Sequence, residues 1–119
     1  MTTQEIATRL VEFCKEEQYG KAHRELYAPN AVSIEPFAMG GYEKETKGLD
    51  AIIAKGKKFE SEVEQSFGVT LSNPLVTKNS IAFIFTMDVK MKGRERETMT
   101  ELCVYEVKDD KIVSEQFFM

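Results

Sequence analysis

The feature that most constrains this chain is a series of four long segments in its second half that have the character of β-strands. We predict these strands over residues 67–77, 81–91, 97–107 and 112–118. Short pairs of turn-forming residues separate them: Lys78-Asn79, Lys92-Gly93 and Asp109-Asp110. Strands of about ten residues are longer than usual, and long strands twist and curl. We therefore expect an antiparallel sheet that forms a curved wall.

The first half of the chain has helical periodicity. Thr2 and Glu5 have the spacing of a capping box, and apolar residues follow them at helical intervals as far as Cys14. We expect Gly20 to end this helix and Pro29-Asn30 to end a second one. The predicted elements of this half are a second helix over 21–27, a strand over 32–35, a loop over 36–47 and a third helix over 49–65. Three helices arriving first must cover one face of the sheet, which makes the fold α+β.

The size and charge of the chain restrict its partners and its location. Its 119 residues, 42% of them apolar and 30% charged, predict one globular domain over residues 1–119. The net charge of −4 disfavours nucleic acid and anionic membranes as partners. No export signal or membrane-spanning run is visible, so we expect a cytoplasmic protein. Cys14 and Cys103 lie in apolar segments, where we expect free buried thiols rather than a disulfide.

Most motifs of catalysis are missing. His23 is the single histidine, and there is no Cys-x-x-Cys, His-Glu-x-x-His or Gly-x-Ser-x-Gly motif. We therefore expect neither a metal nor another cofactor, and we interpret His23 as a partly exposed helix residue. Lys55, Lys57 and Lys58 form the densest basic cluster, which we interpret as the solvated edge of a helix.

Aromatic residues are spread over the predicted helices and strands. They form either a plain core or the wall of an apolar pocket, and such a pocket needs a few polar groups to orient its ligand. The candidate ligand-binding residues are Phe13, Phe37, Phe59, Phe83, Phe85, Cys103, Tyr105, Glu115, Phe117 and Met119.

Two glutamates are the candidate catalytic residues, Glu35 and Glu101. Glu35 precedes Pro36, and a residue before proline is held extended, which fixes the direction of its side chain. If Glu35 points inward, loss of water raises its pKa towards that of a general base; the alternative is an exposed rim position. Glu101 shares a face with Cys103 and Tyr105 by the strand period of two. It is either a buried acid or a solvated rim residue.

Glu115 alternates with Phe117 and Met119 in the last predicted strand and would complete the polar set. Asp88 interrupts an apolar strand and is a weaker alternative, because the sequence leaves the register of the hairpin at Lys92-Gly93 open by one residue. A slip of one residue in the neighbouring hairpin would exchange the two faces of that strand.

Three segments resemble the SnoaL-like branch of the nuclear transport factor 2-like (NTF2-like) superfamily. They are Glu25–Pro36 (ELYAPNAVSIEP), Lys47–Ile53 (KGLDAII) and Val107–Phe118 (VKDDKIVSEQFF). The resemblance covers the chain nearly end to end. It implies a cone-shaped α+β fold in which a curled, mostly antiparallel sheet and three N-terminal helices enclose an apolar cavity. It also implies homodimers that pack through the outer face of the sheet.

The resemblance implies several activities, because the superfamily includes ketosteroid isomerases, polyketide cyclases, dehydratases and epoxide hydrolases. Glu35 falls where ketosteroid isomerase keeps its general-base aspartate, just before the proline. Cys103 and Val11 stand where that enzyme has its oxyanion-hole aspartate and tyrosine, so steroid isomerisation is not expected. Glu115 and Phe117 stand near the histidine and aspartate of the cyclases.

The sequence supports two hypotheses of different kinds. The first is a protein that binds a small, mostly apolar molecule and acts on it by acid/base chemistry, as an isomerase, cyclase or dehydratase does. Glu35 would be the base, Glu101 would position the substrate or act as the acid, and the loop from Phe37 to Lys47 would cover the mouth, with Gly40-Gly41 as its hinge. The second is a non-catalytic module for ligand binding or dimerisation.

Overall fold

The computed structural model describes residues 1–38 and 40–119; Met39, in the predicted loop, lies outside the described residues. The elements in chain order are α1 (Thr3–Lys15), α2 (Tyr19–Leu26), β1 (Tyr27–Ile34), β2 (Glu45–Lys47), α3 (Leu49–Glu62), β3 (Val63–Leu71), β4 (Leu75–Val76), β5 (Ser80–Met91), β6 (Arg96–Lys108) and β7 (Lys111–Phe118). Three helices pack on a curved, mostly antiparallel sheet, which confirms the predicted α+β class. In these two ranges, no helix is both long and apolar enough to cross a bilayer.

The sheet has the strand order β2-β1-β7-β6-β5-β3, with β4 also paired to β5. β1 runs parallel to β7, and the pairings on either side are antiparallel. Register shifts interrupt the pairings of β1 with β7, β3 with β5 and β6 with β7. Such bulges bend a strand and increase its twist, so they curve the sheet around the helices.

The helices cover the sheet through a continuous apolar core. Its fully buried leucine and isoleucine side chains come from all three helices and from β5 and β7: Ile6, Leu10, Leu26, Ile52, Ile81 and Ile112. Each residue of this size contributes about 1.5–3 kcal/mol by leaving water, which is enough to hold short helices that would not be stable alone.

The start of α1 agrees with the sequence prediction, whereas its end does not. The amide of Glu5 donates to the Thr2 hydroxyl and the amide of Thr2 donates to the Glu5 carboxylate, which completes the predicted capping box. Gly20, predicted to end this helix, lies inside α2. The break falls earlier, where Glu17 has a φ of 56°. This left-handed conformation stops a helix whatever residue adopts it.

β1 begins earlier than the predicted strand over 32–35. It starts at Tyr27 because its first residue already pairs with β7, and the register then shifts before Val32. Pro29 and Asn30 are exposed within this irregular stretch. Proline is tolerated there because it has no amide proton to give to a regular ladder. The short β2, inside the predicted loop, pairs with the end of β1.

α3 is three residues shorter than predicted. Residues 63–65 belong to β3, where Val63 pairs with Met91 and Gln65 with Lys90. The strand predicted over 67–77 is divided into β3 and β4, because Pro74 lies in the segment between them and cannot donate to a ladder. The other three long strands lie within one residue of their predicted bounds.

The last hairpin has the turn that its sequence predicts. Asp109 and Asp110 have φ values of 51° and 62°, as a type I′ turn requires at both central positions. The turn sets the register beside it, where Val107 lies opposite Ile112, and the register shift between Glu106 and Val107 then brings Tyr105 opposite Glu115. The hairpin therefore decides which side chains of both strands face the helices.

Candidate functional site

A cavity of about 300 Å³ lies between the helices and the sheet. Residues from all three helices and from β5, β6 and β7 line it. Much of its wall is apolar, and six of these side chains are Leu10, Ile52, Phe59, Phe85, Met87 and Phe117. A small organic molecule fits a space of this size, and ligand sites are commonly apolar with a few polar groups.

Glu115 is a buried carboxylate at one side of this cavity, with 4% of its surface exposed. Two hydroxyl groups donate to it: that of Tyr27, and that of Ser33 at 2.6 Å. Ser33 lies directly opposite Glu115 in the β1–β7 pairing. Burial and the neighbouring carboxylate raise the pKa of Tyr27 well above its ordinary value, so this phenol remains a proton donor.

Lys55 extends this network from α3 towards the opening. Its ammonium group donates to the Ser33 hydroxyl at 2.6 Å and to the Glu35 carboxylate at 2.9 Å. The Lys55 and Glu35 side chains are 15% and 26% exposed. An ammonium group can only donate, so the Ser33 oxygen accepts and its own proton points to Glu115. A hydrogen-bond chain with fixed donors and acceptors therefore joins Glu115, Ser33, Lys55 and Glu35.

Glu101 lines the same cavity, but it has a different hydrogen-bond partner and a raised pKa. Its hydrogen-bond contact among the described residues is the Cys103 thiol, at a sulfur–oxygen distance of 3.9 Å, and a thiol is a weak donor. Burial raises the pKa of Glu101 to about 7, and repulsion from Glu35 and Glu115 adds to this rise. With this pKa, the Glu101 carboxyl group is present both with and without its proton near neutral pH.

Two further polar side chains line the cavity. Burial lowers the pKa of His23, so its imidazole is uncharged at neutral pH. The Tyr19 hydroxyl is buried and has no hydrogen-bond partner among the described residues. The described ranges contain no group of three or more carboxylate, thiol or imidazole side chains that could hold a metal ion.

The structure places most of the sequence-predicted site residues around this cavity. Both candidate catalytic residues, Glu35 and Glu101, line it. The predicted ligand-binding residues that line it are Phe37, Phe59, Phe85, Cys103, Tyr105, Glu115, Phe117 and Met119. Phe37 and Met119 are 49% and 70% exposed, which places them at the mouth.

Two predicted ligand-binding residues lie elsewhere, and these assignments are corrected. Phe13 belongs to the core and packs beneath the Arg9 guanidinium, with 4.3 Å between the Arg9 Cζ atom and the centroid of the Phe13 ring. Phe83 is 2% exposed and packs against Tyr105, with 5.4 Å between ring centroids. Both are core residues, since neither contributes to the cavity wall. Asp88, the weaker alternative, forms an ion pair with Arg96 outside the cavity.

Sequence reasoning missed Lys55 and the hydroxyl groups of Ser33 and Tyr27. The basic cluster was interpreted as a solvated edge, yet only Lys57 and Lys58 are exposed. Lys55 follows the fully buried Ile52 by three residues, so it shares that face of the helix. This spacing was the available signal. Cys14 and Cys103 are free and buried, as predicted.

The fold and the cavity together define a class of proteins, the α+β cones. A cystatin-like protein of unknown function from Xanthomonas campestris matches with a TM-score of 0.83 and 13% identity, over 99% of this chain and 90% of that chain. An NTF2-like protein from Anabaena variabilis matches with a TM-score of 0.78 and 15% identity, over 98% and 87%. At 13% and 15% identity, these two matches show the fold and nothing about activity.

The family follows from two closer matches. The model of the SnoaL-like domain matches residues 1–119. A protein from Mesorhizobium loti, described provisionally as a SnoaL-like polyketide cyclase and also as a carbohydrate phosphatase, is 31% identical over all of both chains, with a TM-score of 0.90. The chain belongs to the SnoaL-like family. The comparison with curated proteins gave no match.

A substitution of Tyr27 tests the buried hydrogen bonds of Glu115. We expect Tyr27→Phe to lower the free energy of unfolding by about 1–3 kcal/mol, because a buried carboxylate loses a donor. Tyr42→Phe is the matched control, since the Tyr42 hydroxyl donates to Glu62 in a half-buried place, and it should cost less. Urea denaturation measures both. Equal losses would contradict the special role of Glu115.

The raised pKa of Glu101 makes stability depend on pH. Between its ordinary value of 4.5 and its folded value of about 7, the folded chain holds a proton that the unfolded chain has released. Stability therefore falls as pH rises through this window. Across this window we expect the free energy of unfolding of the wild type to fall by up to about 3 kcal/mol more than that of Glu101→Gln. Urea denaturation below, within and above the window measures it, and parallel curves for the two proteins would refute it.

Proposed function

We propose that this SnoaL-like chain binds a small, mostly apolar molecule in the cavity and transfers a proton on it. The reaction would be an isomerisation, cyclisation or dehydration, carried by side chains of the chain itself. The relative that is 31% identical and provisionally described as a polyketide cyclase supports the cyclase type. The fold by itself supports no single reaction, because one fold hosts many chemistries.

The observation that supports the proposal most is the contrast between two carboxyl groups that line one apolar space. Glu35 faces an ammonium group at 2.9 Å, whereas Glu101 faces apolar wall and a thiol. Burial raises the pKa of Glu101 to about 7, which suits the role of an acid, and the carboxylate of Glu35 that Lys55 orients suits the role of a base. A space of about 300 Å³ between them leaves room for a substrate.

Each residue has a role in this proposal. Glu35 is the base, and Lys55 orients its carboxylate towards the mouth. Ser33 and Glu115 act through Lys55 and are positioning residues, since Ser33 accepts one of the Lys55 protons and Glu115 fixes the direction of Ser33. Glu101 either holds the substrate or donates the proton. Phe37 and the loop that follows it would cover the opening, as the sequence predicts.

Proton transfer is measured without knowledge of the natural substrate by following α-hydrogen exchange of 2-tetralone in deuterated water by NMR. We expect the wild type to accelerate this exchange. Glu35→Gln should keep the fold and reduce the acceleration by about 100-fold or more, since a positioned base contributes this much. Glu106→Gln is the control, because Glu106 is exposed and lies outside the cavity.

Exchange at the wild-type rate in Glu35→Gln would show that Glu35 is not the base. An absence of acceleration by the wild type, for 2-tetralone and for a matching lactone, would favour the non-catalytic module. Circular dichroism of each variant separates loss of function from loss of fold.

We also propose a homodimer that packs through the outer face of the sheet. Ile84, Leu102 and Phe118 lie opposite one another on β5, β6 and β7. They are 48%, 40% and 45% exposed, so they form an apolar row on the face away from the cavity. Contiguous exposed apolar surface of this kind favours association, and a two-fold axis would bring the row onto its own copy.

A charge in this row tests the dimer. We expect the wild type to be a dimer at micromolar concentration by light scattering, and Leu102→Glu to be a monomer, because the dimer would bury its carboxylate. Leu75→Glu is the matched control: Leu75 is 76% exposed but lies on β4, outside the row. A monomeric wild type, or a dimeric Leu102→Glu, would contradict the proposal.

A further inference from the structure

The cavity wall carries more acidic than basic groups. Among the described residues that line it, Glu35, Glu60, Glu101 and Glu115 bring carboxyl groups, and Lys55 brings the single ammonium group. Lys55 is paired with Glu35 and donates to Ser33 as well. Its charge is thus balanced within the wall. The remaining carboxyl groups would repel an anionic ligand, and the described lining offers no unpaired cation to bind it.

The imidazole of His23 does not change this balance. Burial lowers its pKa, so it lines the cavity as an uncharged ring at neutral pH. Its ring lies edge-on to that of Tyr27, with 4.9 Å between centroids. The interior therefore favours neutral or cationic ligands over anionic ones.

One corner of the cavity combines three groups suited to a cation. Glu101 lies directly opposite Phe85 in the β5–β6 pairing. Tyr19 packs edge-to-face on the Phe85 ring, with 6.1 Å between centroids. The Tyr19 hydroxyl is buried without a hydrogen-bond partner in the described part of the chain. A carboxylate and a hydroxyl oxygen accept N–H donors, and aromatic faces attract cations.

We propose that the ligand of this cavity is a small primary amine with an apolar body, held with its ammonium group at Glu101 and Tyr19. The apolar body packs against Phe59, Phe85 and Phe117. The inference rests on the proposed function, because it uses the same cavity as the binding site. It gives Glu101 the task of holding the ligand and leaves proton transfer to Glu35. The repulsion that Glu35 and Glu115 exert on Glu101 is relieved when a cation arrives.

Three isosteric probes test the charge preference by isothermal titration calorimetry at neutral pH: 4-methylbenzylamine, 4-methylbenzyl alcohol and 4-methylbenzoate. The wild type should bind the amine about tenfold or more tightly than the alcohol, since a hydrogen bond between charged groups is the stronger. The benzoate should bind most weakly. Glu101→Gln should remove the advantage of the amine and keep the affinity for the alcohol. Glu106→Gln, the same change on the same strand outside the cavity, should alter neither affinity.

Each alternative outcome has a separate meaning. If the alcohol or the benzoate binds as tightly as the amine, the amine proposal fails while the cavity remains a binding site. If Glu101→Gln binds the amine as the wild type does, the ammonium group lies elsewhere and the proposal fails. If none of the three probes binds, the amine proposal fails and the proposed function loses its ligand site as well. The comparison of probes in the wild type needs no variant, so it holds whether or not Glu101→Gln folds.

Discussion

The site depends on one buried carboxylate and the two hydroxyl groups that donate to it. Glu115 lies where β7 meets β1, and the hydroxyls of Tyr27 and Ser33 on β1 satisfy it. An unsatisfied buried carboxylate would cost several kcal/mol, so these hydrogen bonds also favour the parallel β1–β7 pairing at this register. Because Ser33 gives its proton to Glu115, it can accept from Lys55. The direction of the whole chain of contacts to Glu35 follows from Glu115.

Glu115 and Glu101 differ in the hydrogen-bond donors that surround their carboxyl groups. Both belong to the sheet and both line the cavity. Glu115 accepts two hydroxyl donors, whereas Glu101 has a distant thiol and the repulsion of its acidic neighbours. Burial without strong donors among the described residues raises the pKa of Glu101. The chain thus places the same residue type in two different environments on one cavity wall.

The sequence was sufficient to predict the α+β class, the free thiols and the face that Glu101 shares with Cys103, because a period of two depends on local alternation. The sequence was insufficient where pairing between distant strands decides the bounds of an element or the position of a side chain. Residues 63–65 have helical spacing but pair with β5, and the register that joins β1 to β7 leaves no local mark. The spacing from Ile52 shows the face on which Lys55 lies, but its partners are 20 and 22 residues away and leave no local mark. Phe13 and Phe83 were assigned to the ligand because aromatic residues of the core and of a cavity wall share the same sequence pattern.

Alternation along β6 gives the two faces of the sheet separate chemistry. Glu101, Cys103 and Tyr105 point into the cavity, whereas Leu102 lies on the opposite face in line with Ile84 and Phe118. The side chains of this exposed row do not line the cavity, and those of the cavity wall do not belong to the row. The two faces still share one backbone, because the register that aligns the outer row also places Phe85 opposite Glu101. A shift of this register by one residue would exchange the faces, so a single register places both the cavity-lining residues of β6 and the exposed apolar row.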